Sequence, residues 1–271
     1  MGRFAWVGWV LVLIGAVAPA TAAERLRLAT TTSTENSGLL ADLLPHFEVD
    51  CDCKVDVIAV GTGQALELGK RGDVDLVMVH ARDLERAWVG EGHGVDRRTF
   101  MRNDFVILGP AEDPAGVKSG VDGAAALKAV LAAGATFVSR GDQSGTHHRE
   151  LALWAAAGAE PGGDGYLEAG QGMGAVLVIA DEKRGYALSD RGTWLARKAQ
   201  LELAVLVEGD PALLNPYSVI AVNPERHPHV KAALARQLMD WLCGADAQAR
   251  IGAFRVEGEP LFTPLLTEGA D

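Results

Sequence analysis

The chain has 271 residues, 48% of them hydrophobic and 23% charged, with a formal net charge of −11 and three cysteines. That apolar share supports a folded core and excludes a disordered or collagen-like chain. The acidic balance excludes nucleic acid and anionic membrane surfaces as natural partners.

In chain order, the first element is a leader. Arg3 is the one charge before an apolar run from Ala5 to about Pro19, and Ala20-Thr21-Ala22-Ala23 follows. A charged start, an apolar centre and an A-x-A site predict a signal peptide over residues 1–23, cleaved on export to the periplasm. The run falls short of the roughly 18–20 residues that span a bilayer, which argues against a retained anchor. No cysteine stands at the cleavage site to take a lipid. About 248 residues remain, enough for one large or two ordinary domains, and loss of Arg3 makes the net charge −12.

Arg25 to Thr30 then reads as a strand, and the polar run Thr31 to Asn36 as a loop leading to Ser37, the expected N-cap of a helix over residues 38–47. Lys54 to Val60 alternates apolar and polar positions as a second strand. Gly61-Thr62-Gly63 opens a short helix ending near Lys70, and Asp75 to Val79 is a buried type of strand. Phe105 to Leu108 is another strand. A second set follows: a helix over 124–133, a strand at 136–139, a helix over 145–157, a helix over 174–183, and strands at 186–188, 203–208 and 218–222. A helix over about 230–242 comes last. No solenoid repeat or low-complexity linker interrupts this order.

Strands alternating with helices predict an α/β protein with mainly parallel sheets. Two lobes joined by two crossings account for the order, with crossings near residues 101–107 and 213–222. Residues 24–103 and 218–271 then form a discontinuous first lobe, and residues 104–217 the second. Cys51, Cys53 and Cys243 leave the redox state open. The single spacer Asp52 makes a bond between Cys51 and Cys53 awkward, and a long-range bridge to Cys243 is the alternative.

Three polar loops each follow a strand and precede a helix: Thr30 to Ser33, Gly61 to Gly63, and Ser139 to Thr146. In open α/β sheets, ligands bind at the carboxyl ends of the strands. Helix N-termini offer unpaired N–H groups and a partial positive charge that suit an anion. Ser and Thr hydroxyls add donors without charge, and Arg140 adds a planar fork matched to oxyanions. Because the chain is acidic, affinity for an anion must come from such short, directed bonds.

The stretches LATTTSTENSGLLADLLPHFE, VGTGQALELGKRGDVDLVMVHAR, MRNDFVILGP, FVSRGDQSGTHHRELALW, GQGMGAVLVIADEKRGYALSDRGTW and LLNPYSVIAVNP cover most of residues 26–224. In this order the chain resembles the tungstate-binding components of Tup-type ABC transporters, within the type II periplasmic binding protein superfamily. The resemblance implies a two-lobed α/β fold with two interlobe crossovers, and a monomer that delivers tungstate, or the near-identical molybdate, to a membrane permease. It implies ligand contacts from Thr31, Ser33, Thr62, Arg140, Ser144, Gly145 and Thr146, with Thr32, Gly63, His80 and Asp142 in support. It implies no cofactor, no metal and no enzymatic activity.

The run Arg140-x-Asp142-x-Ser144-Gly145-Thr146 also resembles the loop of periplasmic phosphate-binding proteins. Phosphate keeps a proton at neutral pH and needs an acceptor, usually a carboxylate, whereas tungstate and molybdate need donors only. Register along the third strand puts His80 where phosphate binders carry that carboxylate, and Asp142 reads as the brace of Arg140. Other signals are set aside. His147, His148 and Glu150 lack zinc-helix spacing, and Gly170-x-Gly172-x-Gly174 lacks the context of a nucleotide site. Asp190-Arg191 reads as a structural pair near the cleft. A hydrolase or phosphotransferase acting through Ser144 would need a base beside it, and no such motif appears.

Overall fold

Leu26 and Leu28, at alternate positions of ERLRLATT, are fully buried and fix the inner face of the first strand. The computed structural model describes residues 23–120 and 122–265, so all but the last residue of the leader expected over residues 1–23 lies outside the described residues. From that strand, β1 (Glu24–Thr31), the chain passes through α1 (Thr32–Asn36), α2 (Leu39–Cys51), β2 (Cys53–Val60), α3 (Thr62–Arg71), β3 (Leu76–Val79), α4 (Arg82–Gly90) and the long β4 (Gly94–Pro110). It continues with α5 (Gly123–Ala132), β5 (Phe137–Ser139), α6 (Gly145–Ala156), β6 (Tyr166–Glu168), α7 (Met173–Glu182), β7 (Ala187–Asp190), α8 (Arg191–Arg197) and β8 (Leu203–Val207). The remainder is β9 (Leu214–Val222), α9 (Ala232–Cys243), α10 (Ala245–Ala253) and three two-residue strands, β10 (Arg255–Val256), β11 (Glu259–Pro260) and β12 (Thr263–Pro264).

β1 lies between β2 and β3, parallel to both, and β3 pairs antiparallel with β9. β3 is buried at every position, as expected of an apolar strand covered on both faces. One face packs on Leu39, Leu43 and Phe47 of α2 and on Leu238 and Leu242 of α9. The other packs on Ala65 and Leu66 of α3 and Trp88 of α4. A second group of strands has the same layered build. β5 pairs parallel with β6, Phe137 bridges Tyr186 just before β7, and β7 and β8 both pair antiparallel with β4. Phe105, Ile107 and Leu188 of this group pack with Leu127 of α5 and Trp154 of α6, while Val176 and Leu177 of α7 cover the opposite face.

β4 joins the two groups. Its residues Gly94 to Asp104 pair with β9, Phe105 to Leu108 with β7, and Ile107 to Pro110 with β8. The sequence pointed to a strand over Phe105 to Leu108 alone. The register of β4 against β9 shifts between Val95 and Arg98 and again between Thr99 and Met101, and these irregularities break the alternation that marks a strand. The charged α4 and α10 also escaped the sequence reading.

One local expectation is corrected. Thr31, not Ser37, is the first cap: its Oγ1 accepts from Thr34 N, so the polar run is a helical turn and not a loop. Gly38, at φ 81°, then separates that turn from α2, and the Ser37 hydroxyl accepts from Leu39 N. The cysteine pairing, open in the sequence, is decided by the structure: the disulfide joins Cys51 to Cys53. Asp52 takes the left-handed conformation at φ 50° and ψ 43° at the end of α2, turning the chain so that the two cysteine Cα atoms come within 5.2 Å. Cys243 lies outside that bond.

Trp88 fills the space left by a glycine. A Cβ on Gly94 would stand 2.1 Å from Trp88 Cζ3 and 2.8 Å from Ile220 Cγ2. Gly94→Ala is therefore expected to cost about 1–3 kcal/mol by overpacking, read as a lower urea midpoint with an unchanged slope. Wild-type stability in that variant would mean that the indole moves aside freely. Among the described residues no helix is long and apolar enough to cross a membrane.

Candidate functional site

β1, β2 and β5 each end at a loop that starts a helix, and all three loops line one cleft of about 670 Å3. In the first loop, Thr31 Oγ1 lies 2.6 Å from Thr34 Oγ1 and 3.2 Å from Ser33 Oγ, so three hydroxyls cluster at the start of α1. In the second, Gly61 caps α3 in extended conformation without a side chain, leaving Thr62 and Gly63 at an open first turn. A Cβ at Gly61 or Gly63 would meet nothing within 4 Å. First-turn N–H groups lack intrahelical partners and carry a partial positive charge, so this end attracts an acceptor.

The third loop is the most structured. Gln143 takes the left-handed conformation at φ 59°, which turns the chain so that Ser144 caps α6 by accepting from His147 N. Gly145 and Thr146 then form the open first turn. Asp142 sits inside the loop, its Oδ1 accepting from Ser144 N at 3.1 Å and its Oδ2 from Arg140 Nε at 3.1 Å and Nη2 at 2.5 Å. Burial pushes the Asp142 carboxyl up, but hydrogen bonds from Ser144 and Arg140 outweigh it and hold the group below the usual carboxylate range. Asp142 is thus a brace that aims Arg140, as its place in the sequence suggested.

His80 follows β3 and lies between the first loop and the crossover strand β9. Its ring stacks on Tyr217 with centroids 4.6 Å apart. Asn215 turns Oδ1 to His80 Nδ1 at 3.0 Å and donates from Nδ2 to Asn103 Oδ1 at 2.7 Å, while Asn103 donates onward to Tyr217. His80 Nδ1 therefore carries the proton, and Nε2 is left to accept from the hydroxyls of Thr31 and Ser33 at 3.3 and 3.4 Å. Burial pushes the imidazole below its ordinary value of 6.5, outweighing the Asn215 hydrogen bond and the charge of Asp190. The ring is neutral at neutral pH.

A depressed histidine has a definite consequence for acid stability. The unfolded chain takes up this proton near pH 6.5 and the folded protein only at lower pH, so between the two values the unfolded state holds more protons. Stability then falls as pH drops through 6.5 and levels off below the folded value. In denaturant melts at pH 7.5 and pH 5.5, His80→Gln is expected to lose less stability on acidification than wild type. Identical losses would mean that other groups carry the acid sensitivity.

Two carboxylates line the cleft, and both are engaged. Besides Asp142 there is Asp190, the N-cap of α8, whose Oδ1 accepts from Thr193 N and Oδ2 from Thr193 Oγ1, each at 2.8 Å. This corrects the expected pairing of Asp190 with Arg191. Arg191 instead makes a two-point ion pair with Asp104 on β4, both contacts at 2.6 Å, and reaches Glu208. His147 and Glu150 also have structural partners. Glu150 is buried and accepts from Ser139 Oγ, Trp154 Nε1 and Tyr166 OH, and His147 Nδ1 accepts from Gln143 N.

All of the residues singled out in the sequence, from Thr31, Thr32 and Ser33 through Thr62, Gly63 and His80 to Arg140, Asp142, Ser144, Gly145 and Thr146, line this one cleft. A fourth loop was missed. Gly172 caps α7 without a side chain, and Gly172, Met173 and Gly174 also line the cleft. The signal is Gly170-x-Gly172-x-Gly174 ahead of an apolar helix, a run that marks an open helix start as readily as a nucleotide motif.

A cleft between two layered groups of strands, walled by helix starts, hydroxyls and a braced guanidinium, defines a two-lobed solute-binding protein. The chain belongs to the PBP superfamily, whose domain model matches residues 17–246. It is similar to the tungstate-binding protein TupA of Peptoclostridium acidaminophilum, 46% identical over 92% of this chain and 89% of that one. Among solved structures it matches the tungstate-binding protein TupA from Desulfovibrio alaskensis G20 at TM-score 0.84 and 47% identity, covering 90% of this chain and 99% of that one. It also matches the tungstate ABC transporter structure from Geobacter sulfurreducens at TM-score 0.78 and 54% identity, covering 85% and 99%.

Proposed function

We propose that this protein captures tungstate between its lobes and delivers it to the permease of an ABC importer. It is a binding protein, not an enzyme. The reading rests on one observation above others: loops from three strand ends, distant in sequence, meet at a single cleft whose lining carboxylates are already engaged. Such a wall offers donors and asks for no proton in return, which suits a fully deprotonated tetrahedral dianion. Thr31, Ser33, Thr62, Arg140, Ser144, Gly145 and Thr146 are the proposed contacts. Thr32, Gly63, His80 and Asp142 hold them in place. The relatives named for tungstate support the choice of anion.

In this reading residues 24–103 and 218–271 form one lobe and residues 104–217 the other, and the cleft closes on the anion by hinge motion at β4 and β9. Residues 1–23 are the signal peptide of a periplasmic monomer. The energetics suffice. A hydrogen bond to a charged group contributes about 1.5–3 kcal/mol, so some seven donors give about 10–20 kcal/mol gross. Nanomolar affinity needs about 12 kcal/mol net, which the upper part of that range reaches after the cost of ordering and closure. Titration calorimetry with tungstate, molybdate, sulfate and phosphate tests the assignment. Tungstate and molybdate are expected to bind tightest and phosphate weakest. Tight phosphate binding would overturn the donor-only account.

A further inference from the structure

Four charged side chains line the cleft: Arg140, Asp142, Asp190 and Arg197. Arg140 is paired with Asp142, and Asp190 is spent on Thr193. The guanidinium of Arg197, at the end of α8, has no hydrogen bond or ion pair to any described residue. Its position is specific nonetheless. A Cβ on Gly174 would stand 3.2 Å from Arg197 Nη2, 3.4 Å from Nε and 3.5 Å from Cζ, so the guanidinium lies directly against the backbone at the first turn of α7. Gly174 leaves the room that this approach requires.

Arg197 is exposed to the solvent of the cleft, so in the ligand-free protein water solvates its guanidinium and leaves it open to an entering anion. A helix N-terminus carries about half a positive charge and favours anions over cations. Here a guanidinium is brought to the start of a ten-residue helix whose cap, Gly172, supplies no side-chain acceptor. An anion between them would be attracted by both.

We propose that Arg197, with the start of α7, is an arm of the anion site, and that the bound dianion is its counterion. This deepens the tungstate reading and rests on it. With Arg140 paired to Asp142, Arg197 offsets the charge that Asp190 keeps, so the lining is neutral and an entering dianion meets no net repulsion from it. Its role is charge balance and retention of the anion, and residues of both the glycine loop and α8 would then discriminate doubly charged oxyanions from singly charged ones.

The test compares wild type, Arg197→Gln, Arg197→Lys and Arg140→Ala by tungstate titration at low and high sodium chloride, with thermal melts in the absence and presence of tungstate. Arg197→Gln is expected to weaken tungstate about tenfold or more and to flatten the salt dependence, without lowering the melting temperature of the ligand-free protein. Arg197→Lys keeps the charge and is expected to stay within about threefold of wild type. If Arg197→Gln matches wild type in affinity and salt dependence while Arg140→Ala loses binding, this inference fails and the tungstate reading stands. If Arg197→Lys falls as far as Arg197→Gln, the charge is not what matters and the assignment is overturned. If wild type itself takes up no tungstate, the underlying reading fails.

Discussion

Arg140→Ala is expected to weaken tungstate binding at least about a hundredfold and to leave the fold intact. Two effects act in the same direction. The guanidinium fork, which can donate two parallel bonds to an oxyanion, is lost. Asp142 is also released, because Arg140 supplies two of the donors that its carboxylate accepts, and an unbalanced negative charge then faces the incoming dianion. Stability should change little, since the pair is partly solvent-exposed and such pairs contribute at most about 1 kcal/mol. Double replacement of Arg140 and Asp142 by alanine should recover part of the affinity that the single change loses. Calorimetry of the two variants checks this, and unchanged affinity in Arg140→Ala would remove the third loop from the site.

Asn215→Leu is expected to be the more damaging change for the fold. Asn215 is buried, receives the Nδ1–H of His80, and donates to Asn103, which in turn donates to Tyr217. Leucine leaves the His80 proton and the Asn103 carbonyl oxygen without partners in a buried place. An unsatisfied buried group costs about 1–3 kcal/mol, so the pair should lower stability by about 2–5 kcal/mol in denaturant melts. Tungstate affinity should fall as well, because His80 then loses the partner that fixes its tautomer and directs Nε2 at the hydroxyls of Thr31 and Ser33. A variant as stable as wild type would show that the network is dispensable.

The contrast between these two sites shows what a sequence discloses. The Arg140 loop is local: its brace, its cap and its two open donors lie within seven residues, and the chemistry can be read from their order. Strand-then-polar-loop-then-helix punctuation likewise exposed the Thr31 and Thr62 loops, because it depends only on neighbouring residues. The network behind His80 is not local. His80, Asn103 and Asn215 come together only through the pairing of β3 and β4 with β9, and no spacing records it. The same holds for Arg191, whose partner Asp104 is 87 residues away. Asp190 beside it is an N-cap that accepts from Thr193, three residues on, yet adjacency suggested the wrong pairing.

Other misses have equally physical causes. The bulged part of β4 loses its alternation, so eleven residues of the interlobe strand left no pattern. The Cys51 to Cys53 bond depends on Asp52 adopting a left-handed turn, which a side chain other than glycine seldom does. The α7 loop announces itself only by three glycines, a pattern that dinucleotide sites and open helix starts share.

Anomalous diffraction at the tungsten edge from crystals grown with tungstate tests the central claim most directly. The account predicts one strong peak between the three loops, with oxyanion oxygens within hydrogen-bonding distance of Arg140, the Thr62 and Thr146 turns, and the hydroxyls at the start of α1. A peak elsewhere on the surface, or one facing a carboxylate oxygen in place of these donors, would contradict it.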